Sequence, residues 1–123
     1  MLAQELINPL AVFIIARIGE ESAGYAGMHH VEDEGYIANI AVAEKYRRGG
    51  IASAMLEWYI EYARENGLRM LTLEVRESNG PAQRLYAKYG FVREGRRVGY
   101  YTNPREDALI LTLRFNTQQQ KGS

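Results

Sequence analysis

Residues 36–56 read YIANIAVAEKYRRGGIASAML, and the rest of the chain is arranged around this stretch. It begins as a β-strand, because Ile37, Ile40 and Val42 are β-forming residues. It ends as a helix, because apolar residues recur at i, i+3, i+4 and i+7 from Ile51 onward. The pattern therefore predicts a strand, a short turn and a helix in immediate succession.

The turn between them, RRGGIA over residues 47–52, is suited to an anion. Two glycines let the backbone approach a ligand, and the following helix start offers unpaired N–H groups and a positive dipole end. Arg47 and Arg48 add positive charge at the rim. The turn matches neither G-x-x-x-x-G-K-[ST] nor G-x-G-x-x-G. From these residues alone, a plain tight turn and a phosphate cradle both stay open.

The composition is that of one globular domain. The chain has 123 residues, of which 46% are hydrophobic and 24% charged, with a formal net charge of zero. We expect a single domain over residues 1–115 and a polar tail over residues 116–123. Zero net charge argues against a general nucleic-acid binder, and the absence of cysteine excludes disulfides, a thiolate nucleophile and cysteine-based metal sites.

The N-terminal region lacks the features of a membrane or secretion segment. Its longest apolar run, residues 9–16, is too short to span a bilayer. A basic n-region followed by a long apolar h-region is also missing, so we expect a cytoplasmic protein.

The order of elements predicts a mixed α/β (α+β) domain. The strand–helix–strand crossover in its middle implies one parallel pair within an otherwise antiparallel sheet. The predicted elements are helical turns over residues 1–8, strands over 10–18, 23–31 and 36–42, a helix over 51–66, a strand over 70–75, a short helix over 78–90, and strands over 91–100 and 108–115.

Two residues are candidates for chemistry. Glu74 lies near the end of a strand, on the face opposite Leu71 and Leu73, where it is either an ion-paired surface carboxylate or a functional one. Tyr86 lies on the apolar face of the short helix, where tyrosine usually packs into the core. The adjacent pair His29–His30 faces opposite sides of a strand, so we expect no metal site there.

Several motifs together resemble a known family. Arg47-x-x-Gly50-x-Ala52, preceded by the strand NIAV of residues 39–42, resembles the signature [RQ]-x-x-G-x-[GA] of the GNAT superfamily of N-acetyltransferases. The segments 73–79 (LEVRESN), 82–91 (AQRLYAKYGF) and 100–108 resemble the RimI-type branch, the ribosomal-protein-alanine N-acetyltransferases. The likeness covers almost all of residues 11–115. It implies a GNAT-like, mostly antiparallel sheet with a central parallel strand pair and flanking helices.

The resemblance implies acetyl-CoA as cofactor and assigns roles to individual residues. Glu74 matches the family's general base and Tyr86 its general acid, while Asn79 matches a contact to the cofactor arm. Backbone groups of the 39–42 strand are implied to pair with pantetheine, and the following turn is implied to hold the pyrophosphate. The implied cofactor-binding residues are Ile40, Ala41, Val42, Arg47, Arg48, Gly49, Gly50, Ile51, Ala52, Asn79 and Tyr86.

The acceptor side is implied to include four residues, Tyr100, Tyr101, Glu106 and Asp107. The aromatic rings could grip a peptide main chain and the acids could attract a basic tail, although tyrosine packing and solvated acids remain alternatives. The basic run Arg93, Arg96 and Arg97 is either a solvated strand face or a contact to ribosomal RNA or a cofactor phosphate.

Amine chemistry favours one acceptor. At pH 7 roughly a tenth to a sixth of a protein α-amine is neutral, against under about a thousandth of a lysine amine. A carboxylate acting through water is therefore a sufficient base for an N-terminus. We expect direct acetyl transfer, in a ternary complex, to the N-terminal α-amine of a protein such as a ribosomal protein. The alternatives are a lysine or small-amine acceptor, or a truncated relative that binds coenzyme A or a partner without turnover.

The chain departs from the family at its N-terminus. Members of the branch begin with a strand and one or two helices before the position of Leu10, and residues 1–8 resemble only the end of the second helix. An uncovered edge strand invites pairing with another chain, so we expect a homodimer or a mutual completion of the fold.

Overall fold

One mixed sheet of seven strands organises the computed structural model, with strand order β1-β2-β3-β4-β5-β7-β6. The structure describes the backbone of residues 2–8 and the complete residues 11–115. In chain order the elements are β1 (Leu2–Asn8), β2 (Ala11–Ile18), β3 (Glu21–Val31), β4 (Glu34–Val42), a 3-10 turn (Glu44–Tyr46), α1 (Ile51–Glu65), β5 (Met70–Arg76), α2 (Gly80–Lys88), β6 (Val92–Thr102) and β7 (Arg105–Arg114).

Every neighbouring pair of strands is antiparallel except β4 and β5. These two run parallel because α1 crosses over between them. The predicted mixed α/β architecture, with one parallel pair in an otherwise antiparallel sheet, is therefore confirmed.

Helix α1 covers the apolar face of the sheet. Its buried face presents Met55, Leu56, Tyr59, Ile60 and Ala63 to the buried face of the sheet, which is formed by Val12, Ile14, Met28, Leu71, Leu73 and Val75. Each large side chain buried in this way contributes roughly 1.5–3 kcal/mol. The Tyr59 hydroxyl donates a hydrogen bond of 2.9 Å to the carbonyl of Val12, which satisfies the polar end of a fully buried ring.

Helix α2 packs on the same face of the sheet. Leu85 and Tyr86 lie against the buried core, and the Tyr86 ring lies 5.7 Å from that of Phe91. Both helices thus occupy the face of Leu71 and Leu73, which leaves Glu74 on the opposite face, as the alternation of β5 predicts.

The parallel strands β4 and β5 separate after a short paired segment. Their pairing covers Glu34–Ile37 against Met70–Leu73, yet β4 runs on to Val42. On the other side of β4, Met28 pairs with Ile37 and Gly27 with Asn39, so Ala38 is an extra residue in the ladder. Such a β-bulge bends its strand and increases the local twist. The bulge accounts for a cleft between the carboxyl ends of β4 and β5.

The prediction of helical turns over residues 1–8 is wrong. Leu2–Asn8 forms β1, which pairs antiparallel with β2 from Leu2 opposite Ala16 to Leu6 opposite Val12. So short a helix is marginal by itself, whereas the free edge of β2 offers a row of unpaired N–H and C=O groups. The β2 edge that the sequence analysis left uncovered is therefore paired. The predicted polar tail, residues 116–123, lies outside the described residues.

Neither described α-helix is long and apolar enough to cross a bilayer.

Candidate active site

The cleft between the separated strands has a volume of about 810 Å³. The start of α1, the strand β5 and the helix α2 supply its remaining walls. Most of the residues predicted to hold the cofactor line it, namely Ile40, Ala41, Val42, Arg47, Arg48, Gly50, Ile51, Ala52, Asn79 and Tyr86. Glu74 and Tyr101 line the same cleft. The exception is Gly49, which lies in the turn but not on the cleft wall.

The turn before α1 exposes a run of backbone donors. Gly50 is the N-cap of α1 and has a φ of 83°, a left-handed conformation that glycine adopts without steric cost. The N–H groups of Ile51, Ala52 and Ser53 have no backbone acceptor among the described residues, as expected for a first helical turn. Arg47 donates from Nε to the Val42 carbonyl at 3.2 Å, which ties the turn to the end of β4. Such a donor set suits a diphosphate.

The end of β4 offers a second set of free backbone groups. Its pairing with β5 ends at Ile37, whereas its pairing with β3 continues to Val42. The Val42 carbonyl accepts from Arg47, and the other backbone N–H and C=O groups on the β5 side of residues 38–42 are available to a ligand that carries amides. A pantetheine arm is such a ligand, so the residues present fit the cofactor that the motifs imply.

Glu74 is the most enclosed charged group of the cleft, with a side chain that is 7% exposed. Its Oε1 accepts a hydrogen bond from the Tyr36 hydroxyl, and its Oε2 accepts one from Nε of Arg97. Burial alone would raise the pKa of Glu74, but hydrogen bonds from Tyr36, Arg97 and Tyr100 together with the charge of Arg97 hold it below its ordinary value. Glu74 is therefore ionised at neutral pH.

Tyr36 reaches Glu74 because of the parallel register. Tyr36 on β4 lies opposite Thr72 on β5, and Glu74 follows two residues later on the same face. Burial raises the pKa of the Tyr36 phenol, and the hydrogen bond to the Glu74 carboxylate raises it further. The hydroxyl therefore stays protonated and acts as a fixed donor to Glu74.

Tyr86 enters the cleft from the helix side. Burial raises the pKa of its phenol, and the neighbouring Tyr101 adds to the rise. Glu74 comes from the opposite face of the sheet, and the gap between β4 and β5 lets both side chains line one cleft. The two predicted catalytic residues therefore border the same space.

Asn79 has a structural role that the sequence analysis did not assign. It is the N-cap of α2, and its Oδ1 accepts a hydrogen bond of 3.1 Å from the backbone N–H of Ala82. Asn79 also lines the cleft, where its side-chain NH₂ group is the part suited to a ligand.

Two of the predicted acceptor-side residues are engaged within the protein. Glu106 pairs with Arg76 at 3.1 Å and accepts a hydrogen bond from the backbone N–H of Ser78. Asp107 pairs with Arg96 at 2.8 Å and accepts a hydrogen bond of 2.8 Å from the backbone N–H of Gly99. These carboxylates hold the loop geometry at the cleft mouth, because their oxygens are committed to internal donors.

The two predicted tyrosines differ in their surroundings. Tyr101 lies under the guanidinium of Arg76, whose central carbon is 4.2 Å from the ring centroid. Tyr100 is 47% exposed. It lies within an irregularity in β6, where the residues between Arg97 and Tyr101 outnumber their partners on β7. Tyr100 is therefore the more exposed of the two rings, whereas Tyr101 lines the cleft.

The basic run on β6 is divided among different partners. Arg96 forms ion pairs with Glu77, at 2.9 Å, and with Asp107. Arg97 pairs with Glu74, and Arg93 makes no ion pair with a described residue. Sequence reasoning missed the contacts of Arg97 and of Tyr36 with Glu74. The Arg97 contact passes over the intervening strand β7, and local periodicity carries no signal for it.

The two histidines lie on opposite faces of β3, as the alternation predicts. The His29 ring lies 5.2 Å from that of Tyr36, and Nε2 of His30 lies 3.3 Å from the Tyr62 hydroxyl on α1.

A model of the acetyltransferase (GNAT) family matches residues 2–91. The chain belongs to the GNAT acetyltransferase family. The family resemblance predicted from the motifs is therefore confirmed, and so is the class of enzyme, an N-acetyltransferase.

Named GNAT relatives agree with this assignment. A Bacillus subtilis (strain 168) protein, named provisionally as a [ribosomal protein bS18]-alanine N-acetyltransferase, is 40% identical over 111 residues, which are 90% of this chain and 74% of that protein. The Escherichia coli (strain K12) [ribosomal protein bS18]-alanine N-acetyltransferase is 42% identical over 93 residues, 74% of this chain. The alignment spans 63% of the length of that E. coli protein.

The fold comparison leads to the same branch of the GNAT family. The crystal structure of the ribosomal-protein-S18-alanine N-acetyltransferase from E. coli superposes with a TM-score of 0.83 at 36% identity, over 87% of this chain and 70% of that one. GNAT acetyltransferases use acetyl-CoA, and solved structures of this fold hold it. The donors along the cleft described above suit a ligand that carries a diphosphate and amides.

Proposed function

We propose that the protein transfers the acetyl group of acetyl-CoA to the N-terminal α-amine of a protein, and that a ribosomal protein is the acceptor. The observation that carries the proposal is the ionised Glu74 at the cleft, beside the exposed ring of Tyr100. The names of the B. subtilis and E. coli relatives support the ribosomal acceptor. Since ribosomal proteins are made in the cytoplasm, the proposal places the enzyme there.

In this proposal one half of the cleft binds the diphosphate of acetyl-CoA, and the other half binds its amide-bearing arm. Arg47, Arg48 and the backbone donors at the start of α1 hold the diphosphate, with Gly49 and Gly50 giving the turn its shape. Backbone groups of Ile40, Ala41 and Val42 hold the amide-bearing arm, and Asn79 donates to it from α2. The bound cofactor supplies an acetyl thioester at the cleft between Glu74 and Tyr86.

Glu74 receives the proton of the attacking amine. Its lowered pKa keeps it ionised but makes it a weak base. A weak base suffices for an α-amine, whose pKa of about 7.7–8.0 leaves part of it neutral at pH 7, and is poorly matched to a lysine with a pKa of about 10.4. The electrostatics of Glu74 therefore favour an N-terminus over a lysine.

Tyr86 supplies a proton to the leaving sulfur from its Oη. The raised pKa of the phenol ensures that the proton is present throughout the neutral range. The chain contains no cysteine that could carry the acetyl group, so the amine attacks directly in a ternary complex.

The test uses the full chain with acetyl-CoA and a basic peptide that begins with alanine, as a ribosomal acceptor would. Intact-mass spectrometry should record one added acetyl group on the α-amine. The matched control peptide has a blocked N-terminus and one internal lysine, and it should stay unmodified. Acetylation of the lysine alone, or of a polyamine instead of the peptide, would assign the enzyme to another acceptor.

A second candidate is a relative that binds coenzyme A without turnover. Both oxygens of the Glu74 carboxylate accept hydrogen bonds from Tyr36 and Arg97, which favours this candidate. Calorimetry with coenzyme A separates the two candidates, because tight binding without acetylation of any peptide would support the second one.

The proposal also includes a homodimer joined at the edge of the sheet. Strand β1 is an edge strand of the described sheet. The backbone groups on its outer side pair with no other described strand, so a second copy can pair with them. A monomer at all concentrations in size-exclusion chromatography with light scattering would contradict this part.

A further inference from the structure

Arg97 closes the solvent side of the Glu74 carboxylate. The Glu74 side chain is 7% exposed and that of Arg97 is 55% exposed, so the pair has one enclosed and one open member. Arg97 donates from Nε to Oε2 of Glu74, whereas Tyr36 donates to Oε1 from the half-buried strand β4. An acceptor that arrives from solvent therefore meets Arg97 before it meets Glu74.

All the polar groups that face Glu74 come from two strands. Tyr36 reaches it from β4, and Arg97, Tyr100 and Tyr101 surround it from β6. Of these four groups, three are tyrosine hydroxyls and one is a cation. Arg97 is the single cation that contacts Glu74 within the described part of the chain.

An enclosed carboxylate needs a counter-charge. Removing Arg97 leaves the enclosed Glu74 without a counter-charge, which water at the half-exposed guanidinium position screens only in part, and a neutral hydroxyl such as that of Tyr36 does not replace the cation. A protonated amine carries the same unit charge as the guanidinium and fits the same carboxylate oxygen. One cation can therefore be exchanged for another without leaving Glu74 unbalanced.

We infer that Arg97 is a displaceable counter-ion, which the ammonium group of the acceptor replaces at Oε2 of Glu74. This inference rests on the proposed function, since it assumes that an amine approaches Glu74. Arg97 is then a positioning residue, because it acts through Glu74 and not on the reacting atoms. The displaced guanidinium can stack on the exposed Tyr100 ring, because its central carbon already lies 5.9 Å from the centroid of that ring.

The exchange has a consequence for specificity. A nucleophile that is neutral in solution, such as an arylamine, brings no charge to replace Arg97, and Glu74 stays blocked. The exchange therefore admits amines that are protonated in solution, α-amines and lysines alike, ahead of neutral amines. The preference for an α-amine over a lysine then arises at the later loss of the proton, which is easier for the α-amine.

The direct test follows Arg97 by NMR in the full chain. The probe is a basic peptide that begins with alanine, and the matched control is the same peptide with an acetylated N-terminus. The free peptide should shift the Arg97 Nε–H signal to its solvent-exposed position, and the acetylated peptide should leave it unchanged. An Arg97 signal that does not respond to the free peptide overturns the inference, and so does an equal response to both peptides.

A kinetic test uses Arg97→Met, with Arg93→Met as control because Arg93 lies on the same strand and makes no ion pair with a described residue. Loss of the competing cation should lower KM for the peptide several-fold and raise the pKa of the Glu74 carboxyl, measured by carbon NMR. Arg97→Lys should restore both values. A KM that is raised or unchanged in Arg97→Met would contradict the exchange, because it would make Arg97 an acceptor contact or a bystander.

These results separate the two proposals. If the wild-type protein acetylates no peptide, the proposed function fails, and the NMR titration still decides whether an ammonium group displaces Arg97.

Discussion

The cofactor side and the acceptor side of the cleft are built in different ways. The proposed cofactor side is mostly local, since the end of β4, the turn and the start of α1 lie within residues 36–56 and offer mainly backbone groups, to which α2 adds Asn79. The acceptor side is assembled from Tyr36, Glu74 and Arg97 on three strands, and it acts through side chains. A site made of backbone groups is encoded by consecutive residues, whereas a site made of side chains from several strands depends on the register in which those strands pair.

This contrast predicts that substitutions on the acceptor side remove turnover and spare cofactor binding. Glu74→Gln keeps the shape of the side chain but removes the proposed base. Turnover should fall by about 10²–10⁴-fold, the usual contribution of general acid–base catalysis. Calorimetry with coenzyme A should give nearly the wild-type affinity. Wild-type turnover in this variant would show that Glu74 is not the base.

Tyr86→Phe tests the other side of the proton transfer. The ring keeps its packing against Phe91, while the hydroxyl that we propose as donor to the leaving sulfur is lost. Turnover should fall by about 10²-fold, toward the lower end of the range for a general acid. Tyr89→Phe is the control, because its hydroxyl bonds to Glu57 on α1 and it should retain activity. Equal rates in both variants would remove Tyr86 from the mechanism.

The opposite pattern is expected on the cofactor side. Gly50→Val places a β-branched residue at a φ of 83°, a conformation that L-residues adopt at a cost of about 1–2 kcal/mol. The donors at the start of α1 should move, and the Kd for coenzyme A should rise roughly tenfold. At saturating acetyl-CoA, kcat should stay close to the wild-type value. A large loss of kcat with unchanged Kd would mean that the two sides of the cleft are not separable.

The smallest effect concerns stability and pH. The folded-state pKa of Glu74 is depressed, so its interactions stabilise the protein above the unfolded pKa of about 4.3 and are lost as the pH falls through the folded value. The Tm difference between wild type and Glu74→Gln should therefore shrink between pH 7 and pH 3. At pH 7 we expect a difference of a few degrees, since 1 kcal/mol corresponds to about 2–8 °C in domains of this size. A difference that is constant with pH would contradict the depressed pKa.

The same contrast explains what the sequence could predict. The elements from β2 to β7 and the glycine turn follow from hydrophobic periodicity and from the positions of glycine, because these signals are local. Glu74 and Tyr86 were identified by their match to family motifs, not by periodicity. The Arg97–Glu74 pair was missed because it spans β7, and the internal pairing of Glu106 was missed because Arg76 reaches it from another strand.

The N-terminal strand was missed for a related reason. Residues 2–8 have no strong pattern of their own, and their conformation is set by the edge of β2, to which they pair. Such tertiary control of a short segment overrides local propensity.

The bulge at Ala38 also determines where a ligand can bind in the sheet. Without the extra residue β4 could run beside β5 to its end and gain several ladder hydrogen bonds, but the sheet would then have no room for anything else. The described sheet therefore has unpaired backbone groups between two of its interior strands, as well as at its two edge strands. A ligand that carries amides can take the hydrogen-bonding place that β5 leaves vacant beside β4, which would make the bound ligand part of the sheet.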